Sequence, residues 1–120
     1  MFGWLKKRTK TLYPEARWQV VIDADTIRVI DADGNDRSVS KADISGVAIE
    51  TNDSGPWGAD VWWLIFGCDD SLACAYPQGA TGEQAALDYL MALTGFDHSE
   101  MIKGMSSVEN AVFPVWRKPD

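Results

Sequence analysis

Three groups of side chains in this sequence are equipped for chemistry: carboxylates set beside an aromatic ring, two thiols, and one imidazole. The first group is the run Asp53-Ser54-Gly55-Pro56-Trp57-Gly58-Ala59-Asp60, in which two carboxylates bracket a tryptophan. If the flanking strands pair, the ends of this loop are neighbours, and Asp53, Trp57 and Asp60 form a mixed acidic and aromatic patch. Such a patch suits an arginine or lysine of a partner, through ion pairing and cation–π contact. The competing reading folds Trp57 over the sheet edge and leaves both carboxylates capping turns. A hydrolase using Asp53 or Asp60 as base would need a deep pocket and a shifted pKa beside them.

The other groups assemble less. Cys68 and Cys74 are the only cysteines, and their number and spacing match neither a secreted disulfide framework nor a four-ligand zinc site. Both read as free, buried thiols in a strand pair. His98 is the single histidine, which removes multi-histidine metal sites, and it reads as a solvated residue in the first turn of a helix. Ser106-Ser107 have no base near them in sequence, and neither a glycine-rich phosphate loop nor a Gly-x-Ser-x-Gly elbow occurs. The oxygen-rich run Asp31-Ala32-Asp33-Gly34-Asn35-Asp36 lacks the spacing of an EF-hand, with glycine fourth and Ala42 where the glutamate belongs. It reads as a hairpin turn. No cofactor, metal or small-molecule ligand is called for.

Charge narrows the partners. Of 120 residues, 18 are acidic and 11 basic, a formal charge of -7. Residues 1–17 hold Lys6, Lys7, Arg8, Lys10 and Arg17 against Glu15, a net +4, so the remainder carries -7 - 4 = -11. An acidic body repels nucleic-acid phosphates and anionic head groups and favours a basic protein partner. The basic segment also carries Phe2, Trp4 and Leu5. Phe2, Trp4, Lys6, Lys7 and Arg8 are candidates for contact with a membrane interface or, preferred here, for an arm docked on the sheet. The expected organisation is a basic arm over 1–17 and one globular domain over 18–120. No apolar run has the length of a signal peptide or a membrane span, and the cytoplasm is the expected compartment.

The elements that must position these groups follow from periodicity. Trp18, Val20 and Ile22 share a strand face, and Thr26 to Ile30 continues as a second, β-branched strand after Asp23-Ala24-Asp25. Arg37 to Ser40 makes a third, with Ile44 packing beneath the connection to a fourth at Val47 to Asn52. Val61 to Cys68 is apolar at nearly every position, as for a strand covered on both faces, and Leu72 to Tyr76 returns from Asp69-Asp70. Trp62 and Trp63 then point to opposite faces, one into the core and the other to a helix or interface. A helix is expected over 82–94, with Thr81 and Gln84 at capping-box spacing and Gly95 as its C-terminal stop. Asp97 and Glu100 repeat the box for a shorter helix, with Phe96 and Met101 placed as a hydrophobic staple. Ala111 to Trp116 adds an extended segment that Pro114 confines to an edge or a bulge.

Strands first and helices afterwards give an α+β, mainly antiparallel fold: a six- or seven-stranded bent meander sheet packed by C-terminal helices. This architecture resembles the pleckstrin-homology-like group, from which the second helix and the segment around Trp116 depart. The segments Thr51 to Pro56, Asp60 to Trp63, Pro77 to Gly82 and Gly95-Phe96-Asp97 resemble those of small uncharacterised bacterial proteins. That resemblance spans about residues 50 to 117, implies a stand-alone bacterial protein and transfers no catalytic residue. The sequence therefore points to a non-enzymatic cytoplasmic module that binds a protein or a second copy of itself through Asp53, Trp57 and Asp60. An immunity-type inhibitor of a basic toxin enzyme is the alternative, and a small hydrolase using the loop carboxylates is the third reading.

Overall fold

A computed structural model describes residues 17–55, 58–107 and 109–119, with the backbone alone described at 53–55 and 58–60. In chain order the elements are β1 (Gln19–Ile22), β2 (Thr26–Ile30), β3 (Asp36–Ser40), β4 (Gly46–Gly55), β5 (Gly58–Phe66), β6 (Leu72–Pro77), α1 (Glu83–Met91), α2 (His98–Ser106) and β7 (Ala111–Arg117). The strands pair antiparallel throughout and divide between two sheets, β1-β2-β3 and β6-β5-β4-β7.

Each turn of the first sheet is closed by its own aspartate. The Asp23 amide donates to the Thr26 carbonyl at 2.9 Å, and the Thr26 hydroxyl returns to the Asp23 carboxylate at 3.3 Å. Between β2 and β3 the Asp31 carboxylate accepts from the amides of Asp33 and Asn35 at 2.8 and 2.9 Å and from Asn35 Nδ2 at 3.0 Å. Those bonds, the Asn35 side chain foremost, hold the Asp31 carboxyl below its ordinary range. The carboxylate that invited a cation reading is thus saturated by its own turn.

The sheet does not run on from β3 to β4. A 3-10 turn at Lys41–Asp43 redirects the chain, and Ile44, 2% exposed, is buried under the connection as its position suggested. The edge of β4 is taken by β7, which places Pro114 opposite Ala48 on an edge strand, beside a register shift between Val47 and Ala48. Its missing N–H falls where the ladder is already broken.

The two sheets share one core. Val20, Ile27 and Val29 of the first sheet, Ile49, Trp63, Ile65 and Tyr76 of the second, and Ala86 and Leu90 of α1 belong to a single buried cluster. Burying a side chain such as Leu90 contributes about 1.5–3 kcal/mol. Helix α2 covers the same face of the four-stranded sheet: a Cβ added at Gly104 would come within 3.1 Å of Ile49 Cγ2.

Helix α1 is shorter than its sequence suggested and starts differently. Thr81 does not cap it. The Thr81 amide donates to the Trp18 carbonyl at 2.8 Å, and its own carbonyl accepts from Val20 at 2.9 Å, forming a parallel bridge to β1. The cap passes to Gly82 at φ +91, without a side-chain hydrogen bond, and Glu83 reaches back to the Gly79 amide at 2.8 Å. A non-local β-bridge has outcompeted the local capping signal. The second box is half made: the Asp97 carboxylate accepts from the Glu100 amide at 3.0 Å. Glu100 turns to Lys103 at 3.0 Å, because the Asp97 amide it would have capped donates to the Val115 carbonyl at 2.7 Å.

Candidate functional site

Asp53 to Gly55 and Gly58 to Asp60 are the paired ends of β4 and β5, where a loop was expected. These strands pair from Gly46↔Phe66 to Gly55↔Gly58, so that only Pro56 and Trp57 connect them. A register shift between Asn52 and Gly55 sets two residues, Asp53 and Ser54, against Ala59 alone, the count of a bulge. Asp60 lies opposite Asn52, and the symmetrical pairing of Asp53 with Asp60 across a loop base is replaced by this offset. The side chains of Asp53 and Asp60, and Trp57 itself, lie outside the described residues.

These paired ends form an arm that extends past its neighbours. The ladder between β4 and β7 ends at Thr51↔Ala111, and that between β5 and β6 at Trp62↔Pro77. From Asn52 and Asp60 onward, β4 and β5 pair with each other and with no other described strand. Three ladder steps, from Asp60 to Gly58 on β5, at about 3.3 Å each carry the end of this ladder roughly 10 Å beyond the sheet. At the root of the arm, Thr51 is 1% exposed and its hydroxyl donates to the Glu109 carbonyl at 2.6 Å, tying β4 to the segment before β7.

The two tryptophans that follow separate as the strand period requires. Trp63 enters the core, 3% exposed, with its ring nearly parallel to Tyr76 at 6.5 Å between centroids. Trp62 stands on the other face, where Trp18 packs edge-to-face on it at 5.2 Å. These two rings wall a groove of about 250 Å³ at the β6 edge, floored by Val29 and Cys74 and rimmed by Asp31, Arg37 and Leu72.

Strand β5 is not equally covered on its two faces. Val61, Trp63 and Ile65 are buried, whereas Trp62, Leu64 and Phe66 are half-buried and lie outside the core cluster. By register, Ala48, Val112 and Pro114 stand on the same outer face, with Glu50 beside them. An antiparallel face left to water is ordinarily polar at alternate positions. This one is apolar.

The thiols and the imidazole do not meet as a catalytic pair. Cys74 is buried on β6, and burial pushes its thiol up to about 11, while Cys68 is exposed in the 3-10 turn Cys68–Asp70. The expectation of two buried thiols is corrected there, because β5 ends at Phe66 and the turn carries Cys68 out to solvent. His98 is exposed and sits edge-on to Phe96 at 4.9 Å. Among the described residues, no group of three or more His, Cys, Asp or Glu is placed to hold a metal ion, and no helix is long and apolar enough to cross a membrane.

Phe2, Trp4, Lys6, Lys7 and Arg8 lie outside the described residues. The sequence reading missed the groove and the apolar outer face. The signal for the face was present in the alternate residues Trp62, Leu64 and Phe66, which read as ordinary double coverage. The groove needs Trp18 and Trp62 in contact, a pairing across 44 positions that no local pattern encodes. Comparison with family models, with curated proteins and with solved structures finds no match to this chain.

Proposed function

We propose that this chain is a non-enzymatic cytoplasmic module that holds a basic protein partner on the arm formed by β4 and β5, through Asp53, Trp57 and Asp60. The observation that supports it is the projection of the arm beyond both neighbouring strands, with Pro56-Trp57 at its tip. A projecting two-stranded arm that merely connected strands would need no tryptophan there, and tryptophan is enriched at the centres of protein interfaces. The body's net charge of -11 favours a partner of opposite sign and speeds encounter with it. That same charge is what supports the second reading, inhibition of a basic toxin enzyme. The pleckstrin-homology-like reading belongs to this proposal: two antiparallel sheets around one core and flanking helices support it, and a strand following the helices departs from it.

Affinity capture on the immobilised chain tests the charge component. A basic partner is expected to be retained at low salt and released as salt rises, and the Asp53→Asn, Asp60→Asn double variant should release it at lower salt. A chain that stays monomeric and retains nothing contradicts the proposal, as does retention indifferent to both carboxylates.

A further inference from the structure

Among the described residues, the outer face of the four-stranded sheet is mainly apolar. Trp62, Leu64 and Phe66 run along its centre, and Leu72 and Val112, 50% and 56% exposed, stand at its two edges. The first sheet and both helices supply side chains to the inner face, and the described ring contact on the outer one is Trp18 against Trp62. Four strands spaced about 4.8 Å apart span roughly 14 Å, and five or six paired residues along the outer ladders give about 17–20 Å, a face of roughly 240–290 Å² in projection. The largest apolar patch of a monomer is about 300–600 Å² and often functional, and this face approaches that size.

We propose that residues 1–16 of this same chain occupy that face, beyond and independent of the role given to the hairpin arm. The first argument is where the described chain begins. Trp18 rests on Trp62, so the described chain begins at the rim of the patch. The second is reach. Sixteen residues extend about 24 Å even at helical rise, more than the width of the sheet, and further if extended. The third is composition: Phe2, Trp4, Leu5, Leu12 and Tyr13 supply apolar area for the face, and the net +4 of residues 1–17 complements the -11 of the remainder. Glu50, the exposed carboxylate on the face itself, is one partner for those cations. Intramolecular docking also gains from the high effective concentration that a short tether provides over a second copy.

A nitroxide placed on Leu5→Cys in the full-length chain, with Cys68→Ser to remove the exposed thiol, tests this. In a dilute monomeric sample, the Leu64 methyls and the amides of Leu64 and Phe66 are expected to lose most of their intensity, while Ile102 on α2 keeps its own. Attachment at Thr9→Cys repeats the measurement should the first label disturb the fold. Absence of broadening at Leu64 and Phe66 from both positions overturns the proposal. Broadening of an isotope-labelled, nitroxide-free chain by a nitroxide-bearing unlabelled one also overturns it, in favour of a second copy. Broadening at Ile102 equal to that at Leu64 does the same, since it reports a segment without a fixed seat.

Discussion

Gly82→Ala should be among the most damaging single-atom changes this fold admits, and the size of the effect can be built from the junction it disturbs. Gly82 caps α1 at φ +91, a backbone conformation that costs an alanine about 1–2 kcal/mol. Its added Cβ would also lie 2.2 Å from the Val20 carbonyl oxygen, which is main chain and cannot rotate away. The α1 end must then recede from β1, placing at risk the Val20-to-Thr81 and Thr81-to-Trp18 hydrogen bonds of 2.9 and 2.8 Å. At about 1 kcal/mol net for each bond, the total is about 3–4 kcal/mol. Gly95→Ala provides the control. It shares the positive φ, +92, but its Cβ meets nothing within 4 Å, so only the conformational cost of about 1–2 kcal/mol applies. Urea unfolding of the parent and both variants measures the difference, provided the slope with denaturant is unchanged. Equal losses in the two variants would refute the close approach of α1 to β1 on which the shared core depends.

Three further outcomes follow from the geometry. Thr51→Val keeps the volume but removes the hydroxyl that donates to the Glu109 carbonyl at 2.6 Å, and should lower stability by about 1 kcal/mol in the same assay. Iodoacetamide at neutral pH should modify Cys68 in the native protein and spare Cys74 until the chain unfolds, as peptide mass mapping would read directly. Burial raises the thiol of Cys74 from an ordinary value of 9.0 to about 11 and raises the phenol of Tyr76 as well. The unfolded chain therefore releases these protons first. Stability should be fully present below about pH 9 and fall as pH rises toward 11, with a shallower fall in Cys74→Ala when unfolding is followed across that range.

The local parts of this fold were legible because local chemistry decides them. The β1-β2 and β2-β3 turns follow from Asp23 and Asp31 bonding their own backbones, and the strand periods of Val20 and Ile22 or Ile27 and Val29 match the buried face. Pro114 located its own edge and bulge. What failed was decided at a distance. Thr81 carries a helix-capping signal that a bridge to β1 overrides, and in the division into two sheets the β4 edge that a continuous meander would give to β3 is held by β7. The candidate site divided in the same way. Asp53, Trp57 and Asp60 were marked by residue type, but that the backbone at Asp53 and Asp60 runs in a projecting ladder with an offset register depends on where the ladders to β6 and β7 stop.

The central claim is that the arm tip binds, and a paired capture of parent and Trp57→Ala chains, quantified by mass spectrometry, tests it most directly. Trp57 lies at the two-residue connection between paired strands, so unfolding midpoints of the two chains should agree closely. The account expects at least one basic protein to be retained by the parent and lost from Trp57→Ala, while an Ile102→Ala chain, altered at an exposed position on α2, retains it. Identical retention by the parent and a folded Trp57→Ala chain would contradict it.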